Sequence, residues 1–322
     1  MINSKIVGLG AYVPSNIVTN DKLSEFVDTS DEWILTRTGI KERRVSIDED
    51  TSELATRACI EALKNASIKA DDVDHIIVAT VSPDMFCPSV SCIVQNNIGA
   101  VNASALDINA ACSGFLYGVK LANSLIKSGE AKIVLVVGAE TLSKVTDWTD
   151  RRTCVLFGDA AGAAVIKATE ENGIMAVHTM AEGDKWNALK IDGIPVRNPF
   201  VKAEERAHYI SMNGQEVFRF ATRVIVEATR KVLKKADLNI SDITYIIPHQ
   251  ANLRIIDYAS KKLGFPIEKF YINLDRYGNT SSASVPLALY EMFQEGKLKK
   301  GDKIILVGFG GGLTYGATLI EW

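Results

Sequence analysis

The sequence predicts an α/β protein made of two similar halves, and two observations support this. Short apolar runs alternate with longer segments of helical period along the 322 residues, an alternation that is typical of α/β folds. The chain also resembles itself at a spacing of 170 residues (236 − 66). We therefore expect two sheets, each with helices packed on it.

The predicted elements follow one another in chain order. Apolar runs of strand length occur at residues 5–9, 75–80, 105–108, 133–138 and 162–166, and then at 209–212, 244–247, 270–272, 304–307 and 317–320. Apolar residues recur every three or four positions at 52–64, 115–126, 216–234, 253–263 and 284–294, which predicts helices there. Strands and helices thus alternate in both halves.

The internal repeat has two parts at nearly the same offset. Residues 62–77 resemble residues 232–247, with Ala66 opposite Ala236, and residues 132–136 match 303–307 at an offset of 171 (303 − 132). We predict an N-terminal half at 1–170 and a C-terminal half at 171–322. The segment 180–207 is polar and unrepeated, which predicts an inserted loop or lid.

Composition argues for a cytoplasmic enzyme. The net charge of −3 gives no general attraction to nucleic acid or to an anionic membrane. The five cysteines are scattered and include no CxxC pair, so neither a disulfide framework nor a zinc site is expected. The N-terminus has no signal-peptide pattern, and no apolar run approaches the ~20 residues of a membrane span.

Cys112 stands between a predicted strand and a predicted helix. The positive end of a helix and its unpaired N–H groups favour a thiolate over a thiol, so this cysteine is a candidate nucleophile. The alternative is a small buried apolar residue, which is the commoner role of a free cysteine.

Two further segments supply polar groups beyond predicted strand ends, where open α/β sheets place their sites. His249 follows the strand at 244–247, and Asn279 follows the strand at 270–272. A single histidine is more often a surface or core residue, and asparagine is common in turns and at helix N-caps. The glycine run 308–312 is either a simple turn or a close approach of backbone to a ligand.

Together these segments resemble the thiolase-fold condensing enzymes, and among them β-ketoacyl-acyl-carrier-protein synthase III. The residues that carry the resemblance are Ala-Cys-Ser-Gly at 111–114, Pro-His-Gln-Ala-Asn at 248–252, Tyr-Gly-Asn-Thr-Ser at 277–281 and Gly-Phe-Gly-Gly-Gly at 308–312. Residues 29–40, 149–151 and 157–160 are also similar to that family. The resemblance implies a thiolase-like fold of five layers, αβαβα, with halves related by a pseudo-two-fold axis.

The resemblance also implies a reaction. An acyl-coenzyme A primer acylates Cys112, and malonyl-acyl-carrier protein then loses carbon dioxide and condenses with the acyl group. The N–H groups of Cys112 and Gly311 would form an oxyanion hole, while His249 and Asn279 would stabilise the enolate. No metal or other cofactor is expected, since coenzyme A enters as a thioester substrate, and the family forms homodimers.

Binding residues are carried over from the same resemblance. Coenzyme A contacts are expected at Trp33, Arg37, Arg151, Gly214 and Asn252. The acyl pocket is expected at Phe86, Cys87, Leu189, Met212, Phe218 and Phe309, and the carrier-protein contacts at Arg219, Gln250, Arg254, Lys261 and Lys262. The family commonly has an aromatic residue where this chain has Cys87, so we expect tolerance of primers longer or more branched than acetyl.

Three other functions would each use some of these residues or this fold. A related Cys-His-Asn enzyme of polyketide or other secondary metabolism would use the same residues on another acceptor. A papain-like protease would place its cysteine near the mature N-terminus in a different local sequence. A non-enzymatic acyl-binding scaffold would be expected to have lost Cys112, His249 or Asn279, and all three are present.

Overall fold

The computed structural model describes residues 2–201 and 208–322. The α-helices in these ranges are α1 (Asn20–Ser24), α2 (Asp31–Thr38), α3 (Thr51–Ala66), α4 (Val90–Ile98), α5 (Gly114–Ser128), α6 (Gly214–Ala236), α7 (Leu253–Leu263), α8 (Leu274–Tyr277) and α9 (Ser284–Gln294). The five predicted helices are present: α7 and α9 have the predicted bounds, and α3, α5 and α6 are three or four residues longer than predicted.

The first large sheet is built from residues 3–169. Its strands are β1 (Asn3–Tyr12), β4 (His75–Ala79), β5 (Ser104–Ile108), β6 (Ile133–Glu140) and β7 (Ala160–Thr169), in the spatial order β1-β7-β6-β4-β5. β4 is parallel to β5 and β6, whereas β7 is antiparallel to β1 and β6. The short strands β2 (Ile17–Thr19) and β3 (Glu42–Arg44) pair with each other beside it.

The second large sheet repeats this pattern with residues 174–321. Its strands are β8 (Ile174–Ala181), β11 (Tyr245–Pro248), β12 (Lys303–Gly310) and β13 (Thr314–Glu321), in the order β8-β13-β12-β11. β11 is parallel to β12, and β13 is antiparallel to both of its neighbours. The order and directions match β1-β7-β6-β4 of the first sheet.

The helices complete five layers. α5 and α9 contact strands of both sheets and form the central layer. α3 and α4 cover the outer face of the first sheet, and α6, with α7 beside it, covers the outer face of the second. Three large hydrophobic clusters fill the spaces between these layers. The predicted α/β architecture of five layers is confirmed.

One predicted strand is wrong. Residues 270–272 make a single bridge, between Ile246 and Phe270, and then leave the sheet. The reason is the side chain of Gln250, whose Nε2 donates to the carbonyl of Tyr271 at 3.0 Å. Its Oε1 accepts from the N–H of Asn273 at 3.1 Å. A buried amide thus takes the hydrogen bonds that a neighbouring strand would have supplied.

The segment predicted as an insertion at 180–207 is partly regular. β8 continues to Ala181, a 3₁₀ helix spans Gly183–Ala188, and β9 (Leu189–Ile191) pairs with β10 (Ile210–Met212). Residues 202–207 lie outside the described residues. The pair β9 and β10 lies over the edge of the cavity described below, so this segment borders the site.

Candidate active site

Cys112 lies in a 3₁₀ turn, Ala111–Ser113, between the end of β5 and the start of α5. The turn is held by the Asn109 side chain, whose Oδ1 accepts from the N–H of Ala111 at 3.3 Å. Cys112 is 8% exposed and lines a cavity of about 600 Å³. The sulfur is therefore largely desolvated but borders a space large enough for a ligand.

Burial raises the pKa of the Cys112 thiol to about 12. A hydrogen bond from Ser281 and the cysteine's own backbone N–H lower this pKa, whereas the nearby carboxyl of Glu140 raises it. Desolvation disfavours the charged form of an acid, so the burial of Cys112 works against the thiolate that a helix N-terminus favours.

His249 follows β11 and is almost fully buried. Its Nδ1 lies 2.7 Å from the hydroxyl oxygen of Ser284 at the start of α9. Burial lowers the pKa of this imidazole to about 3, so the ring is neutral at physiological pH. When the Ser284 hydroxyl donates to Nδ1, the proton of the neutral ring sits on Nε2, which is then a hydrogen-bond donor.

Asn279 is fixed at both its backbone and its side chain. Its N–H donates to Leu156 at 2.8 Å, and its carbonyl accepts from Gly158 at 3.1 Å. Its side-chain Oδ1 accepts from the N–H of Ser281 at 2.9 Å. The turn thus uses the carbonyl end of the amide, and the NH₂ end is the part left for a ligand.

The glycines of β12 bring these groups together. A Cβ atom placed on Gly308 would lie 3.5 Å from the carbonyl oxygen of Cys112 and 3.6 Å from the Cβ of His249, so these two residues flank one backbone position. A Cβ on Gly310 would lie 2.5 Å from the nitrogen of Cys112, a clash that only glycine avoids. Asn279 reaches the cluster through Ser281, which lines the same cavity as Cys112.

Cys112 lines the cavity, whereas His249 and Asn279 are not among its described lining residues and adjoin Cys112 through Gly308 and Ser281. Gly311 lines the cavity beside Cys112, as an oxyanion-hole residue must. A thiol, a neutral imidazole and a carboxamide can carry an acyl group and stabilise a negative oxygen without a metal ion. Among the described residues, no group of three or more His, Cys, Asp or Glu side chains could hold one.

Only some of the expected acyl-pocket residues line the cavity. Phe86 and Leu189 line the cavity. The remaining four do not lie among its described lining residues, and we correct their assignment: Cys87, Met212, Phe218 and Phe309. Cys87 is exposed, Met212 packs against the core under α6, Phe218 lies on the outer face of that helix, and Phe309 is buried against His249.

The structure adds lining residues that the sequence did not indicate. Leu142, Phe157 and Ile210 form a small hydrophobic cluster on the cavity wall. Phe86, at 81% exposure, stands at the edge of the same space. Charged side chains, such as those of Lys144 and Lys190, also border the cavity.

The residues expected to bind coenzyme A form a cationic aromatic surface on the second half's side of the molecule. The guanidinium groups of Arg37 and Arg151 lie 4.6 Å and 5.2 Å from the ring centre of Trp33. Asn252 caps α7 and donates from Nδ2 to the carbonyl of Arg37 at 3.0 Å. Gly214, the first residue of α6, is exposed. Such a surface suits a planar base and phosphate groups.

The expected carrier-protein contacts also need one correction. Arg219, Arg254 and Lys262 are exposed on α6 and α7, and Lys261 pairs with Asp257 at 2.6 Å. Gln250 is 1% exposed and its amide is fully engaged with the backbone of residues 248 to 273, so it cannot contact a partner.

Three residues of the site were missed at the level of sequence. Ser284 holds His249, Ser281 lines the cavity beside Cys112, and the Ser281 hydroxyl donates to Glu140 at 2.9 Å. Glu140 did give a signal, because a carboxylate directly after a buried apolar strand is uncommon and needs partners. The serines gave none, because serine is ordinary at helix starts.

Comparison with known proteins identifies the family. Family models described as 3-oxoacyl-[acyl-carrier-protein (ACP)] synthase III and its C-terminal region match residues 106–183 and 233–322. Proteins named beta-ketoacyl-[acyl-carrier-protein] synthase III are 57% identical in Clostridium perfringens and 53% identical in Clostridium acetobutylicum. Both alignments cover all of this chain and at least 99% of the relative.

Solved structures agree in fold. The 3-oxoacyl-[acyl-carrier-protein] synthase III of Aquifex aeolicus is 47% identical with a TM-score of 0.94, covering 99% of this chain and 100% of that one. A priming β-ketosynthase from the R1128 polyketide pathway is 35% identical with a TM-score of 0.92, covering 99% and 96%.

Proposed function

This chain belongs to the β-ketoacyl-[acyl-carrier-protein] synthase III family, and we propose that Cys112, His249 and Asn279 carry out its reaction. The enzyme condenses an acyl-coenzyme A primer with malonyl-acyl-carrier protein and so starts fatty acid synthesis. The observation that supports the residue assignment is their convergence: Cys112 and His249 flank Gly308, and Asn279 accepts a hydrogen bond from Ser281, which lines the cavity beside Cys112.

In the first half-reaction the Cys112 sulfur attacks the thioester carbonyl of the primer. The C–S bond to coenzyme A breaks, and the thiol proton of Cys112 ends on the coenzyme A sulfur. The N–H groups of Cys112 and Gly311 stabilise the oxyanion of the tetrahedral intermediate. Burial raises the pKa of the thiol to about 12, and a donor at Ser281 lowers it, which favours loss of the thiol proton.

In the second half-reaction malonyl-carrier protein loses carbon dioxide, and the electrons of the broken C–C bond form an enolate. Nε2–H of neutral His249 and the NH₂ group of Asn279 donate to the enolate oxygen. One donor of this kind contributes roughly a hundredfold to the rate. The enolate carbon then attacks acyl-Cys112, which releases β-ketoacyl-carrier protein and leaves Cys112 as a thiolate that takes up a proton from solvent.

The substrates approach from the second half. We assign the nucleotide of coenzyme A to the surface of Trp33, Arg37 and Arg151, where a purine and phosphates find an aromatic ring and two cations. Arg219, Arg254, Lys261 and Lys262 form the proposed contact for the acidic carrier protein. The enzyme is proposed to work as a cytoplasmic homodimer. Among the described residues, no helix is long and apolar enough to pass through a bilayer.

The proposed primers are short or branched acyl groups. The cavity of about 600 Å³ beside Cys112, bordered by Phe86, has the volume to accept such groups. Initiation of fatty acid synthesis is preferred to secondary metabolism, because the relatives named for the former share up to 57% identity and the polyketide priming enzyme 35%.

The test separates the two half-reactions. His249→Ala and Asn279→Ala are expected to lower carbon dioxide release from malonyl-carrier protein by about a hundredfold or more. Both variants should still take an acyl group from acyl-coenzyme A, as measured by intact mass. Cys154→Ala, a buried cysteine elsewhere, is the control and should keep both activities. Equal loss of both half-reactions in the two variants would contradict the assignment.

A further inference from the structure

Arg43, in the middle of β3, is a buried cation that the reaction described above does not use. Its side chain is fully buried. Nη1 donates to the carbonyl of Val18 at 3.0 Å, Nη2 donates to that of Val155 at 2.8 Å, and both donate to Oδ1 of Asn20 at 2.9 Å. All three acceptors, which are its partners within residues 2–201 and 208–322, are neutral.

Stability alone does not explain an arginine at this position. Removing a cation from water is costly, and neutral acceptors recover less of the cost than a carboxylate does. Nε of Arg43 also has no hydrogen-bond partner among the described residues, which adds to the cost. Burial lowers the pKa of Arg43 to about 10, which still leaves the group charged near pH 7. What arginine supplies here is a planar fork that fixes several acceptors at once.

One of these acceptors lies next to the backbone that holds Asn279. The N–H of Asn279 donates to the carbonyl of Leu156 at 2.8 Å, and its carbonyl accepts from the N–H of Gly158 at 3.1 Å. The bond from Nη2 to Val155 therefore fixes the residue directly before this bridge. Because the side-chain Oδ1 of Asn279 is bonded within its own turn, the direction of its NH₂ group follows its backbone.

The aliphatic stem of Arg43 packs against both sides of the same bridge. A Cβ atom placed on Gly158 would lie 3.1 Å from the Cβ of Arg43, and one placed on Gly278 would lie 3.4 Å from it. Gly158 is bonded to Asn279, and Gly278 directly precedes it. The stem thus contacts the two segments that the bridge joins, while the fork bonds to one of them.

The other side of the fork is anchored on Asn20. Nδ2 of Asn20 donates to Oδ1 of Asp31 at 2.8 Å and to the carbonyl of Ile40 at 2.7 Å, so both ends of α2 fix this side chain. The guanidinium group therefore ties the segment that contains Val155 to a rigid support. A lysine, with one nitrogen in place of the fork, cannot make the same set of bonds.

We propose that Arg43 is a positioning residue for the condensation: its fork holds residues 155–158, and these hold Asn279 where its NH₂ group meets the enolate oxygen. Arg43 acts through this backbone and not on the substrate. The inference rests on the proposed role of Asn279. It gives a buried cation a function in the second half-reaction that the acylation of Cys112 does not need.

The test compares the two half-reactions in Arg43→Met, which keeps a long unbranched side chain without a donor. Carbon dioxide release from malonyl-carrier protein, measured on enzyme already acylated, should fall about tenfold or more, because a small displacement of a positioned group is costly. Acylation of Cys112 at saturating acyl-coenzyme A, followed by intact mass, should stay within about threefold. Equal losses in both half-reactions would show a general structural role and overturn the proposal.

Two further variants sharpen this result. Arg43→Lys keeps the charge and the stem, so its rate of carbon dioxide release should lie between those of the wild type and Arg43→Met. Arg44→Met is the matched control, because this neighbouring arginine of β3 pairs with Glu42 at 3.6 Å. Its rate should stay within about threefold. A tenfold loss in Arg44→Met would assign the effect to β3 as a whole and reject a special role for Arg43.

Peptide-level hydrogen exchange gives a readout that does not depend on activity. In Arg43→Met, exchange should be faster than in the wild type at residues 155–159 and 277–281, where the N–H groups of the bridge lie, and unchanged in α5. Unchanged exchange at both of these segments would contradict the proposal.

A double-variant cycle tests the route through Asn279. The loss in Arg43→Met, Asn279→Ala should equal the loss in Asn279→Ala alone, whereas losses that multiply would mean that Arg43 acts independently, against the proposal. If Asn279→Ala releases carbon dioxide at the wild-type rate, the proposed function of Asn279 fails and this inference falls with it. If Asn279→Ala is slow and Arg43→Met is not, only the inference about Arg43 fails.

Discussion

Two equivalent positions of the fold hold very different chemistry. Cys112 in the first half corresponds to Ser282 in the second, 170 residues later (282 − 112). Each lies in a 3₁₀ turn, Ala111–Ser113 or Ser281–Ala283, that leads into a helix of the central layer. Asn109 and Asn279 hold the two turns by the same contact to the N–H two residues on, at 3.3 Å and 2.9 Å.

The two positions differ in what faces them from the opposite sheet. Cys112 faces Gly310, and a cavity opens beside it. Ser282 faces Glu140, the equivalent of Gly310 at the same spacing, and that carboxyl occupies the space. His249 likewise corresponds to Ala79. Its partner Ser284 corresponds to Gly114, which has no room for a side chain against Ala79.

The comparison teaches that the backbone creates two similar turns, and that a few side chains decide which one is reactive. At the reactive turn, Gly310, His249 and Ser284 leave the sulfur accessible, with hydrogen-bond donors beside it. At the equivalent turn their counterparts are Glu140, Ala79 and Gly114, and the Glu140 carboxyl fills the space and hydrogen-bonds to the turn. The supporting turn still serves the reactive one, because Ser281, which is bonded to Asn279, lines the cavity beside Cys112.

The largest effect is expected from exchanging the two residues. The double variant Cys112→Ser, Ser282→Cys keeps its composition but moves the thiol to the filled position. Condensation should fall by a thousandfold or more, because losing a nucleophile removes the covalent step. Carbon dioxide release and product formation measure this, with Ser282→Cys alone as the control. Substantial activity in the double variant would mean that the two positions are equally accessible.

Gly310→Ala tests whether Cys112 needs a glycine opposite it on β12. The new Cβ would lie 2.5 Å from the nitrogen of Cys112, so the nucleophile's turn must move. A displacement of this size is expected to lower kcat/KM about a hundredfold. Gly308→Ala is the matched control, since its nearest contact is the end of the Leu116 side chain at 3.3 Å. Similar losses in both variants would remove the special role of Gly310.

His249 makes the stability of the protein depend on pH. Its equivalent in the first half, Ala79, does not titrate. Burial lowers the pKa of His249 from 6.5 to about 3, so protonation favours the unfolded chain. The contribution is complete above pH 6.5 and is lost as the pH falls toward 3. Between pH 7 and 5 it amounts to about 2 kcal/mol of unfolding free energy. Urea titrations should show a loss in the wild type that is smaller by this amount in His249→Gln.

Equal pH dependence of the two proteins in that range would contradict a buried neutral imidazole. The comparison is best made above pH 5, because carboxyl groups throughout the chain begin to take up protons below it.

The smallest effect is expected from reversing a single exposed charge on α7. Arg254→Glu should raise KM for malonyl-carrier protein about fivefold, since an exposed charge contributes only modestly, and should leave KM for acyl-coenzyme A unchanged. The change should shrink at high salt. Lys234→Glu, at the far end of α6, is the matched control. An unchanged KM in Arg254→Glu would remove this residue from the proposed carrier contact.

The sequence predicted the architecture well because each layer depends on apolar periodicity. All five predicted helices and nine of the ten predicted strands are present. The exception, at 270–272, could not be foreseen, because a distant side chain, that of Gln250, replaces the neighbouring strand. β8 was missed because its apolar residues are mixed with polar ones where it forms the edge of the sheet.

The positions of the site residues were predictable where a local sequence motif fixes the backbone. Properties that depend on tertiary packing, such as burial and the direction of a side chain, were less predictable. Cys112 and His249 follow strand ends, which sequence can locate, whereas Asn279 follows the short helix α8. The burial that raises the pKa of Cys112 could not be foreseen, because the depth of a residue is not visible in a strand-turn-helix pattern. Phe218 and Phe309 were misplaced for a similar reason, since an aromatic residue near a motif can face the core or the solvent.

The most direct test of the account is intact-mass spectrometry of the wild-type protein after exposure to a mixture of acyl-coenzyme A thioesters. Without malonyl-carrier protein, one acyl group per chain should accumulate, and peptide mapping should place it on Cys112. Addition of malonyl-carrier protein should then remove it. A chain that takes no acyl group, or one that takes it on the exposed Cys87 or Cys92, would contradict the central claim.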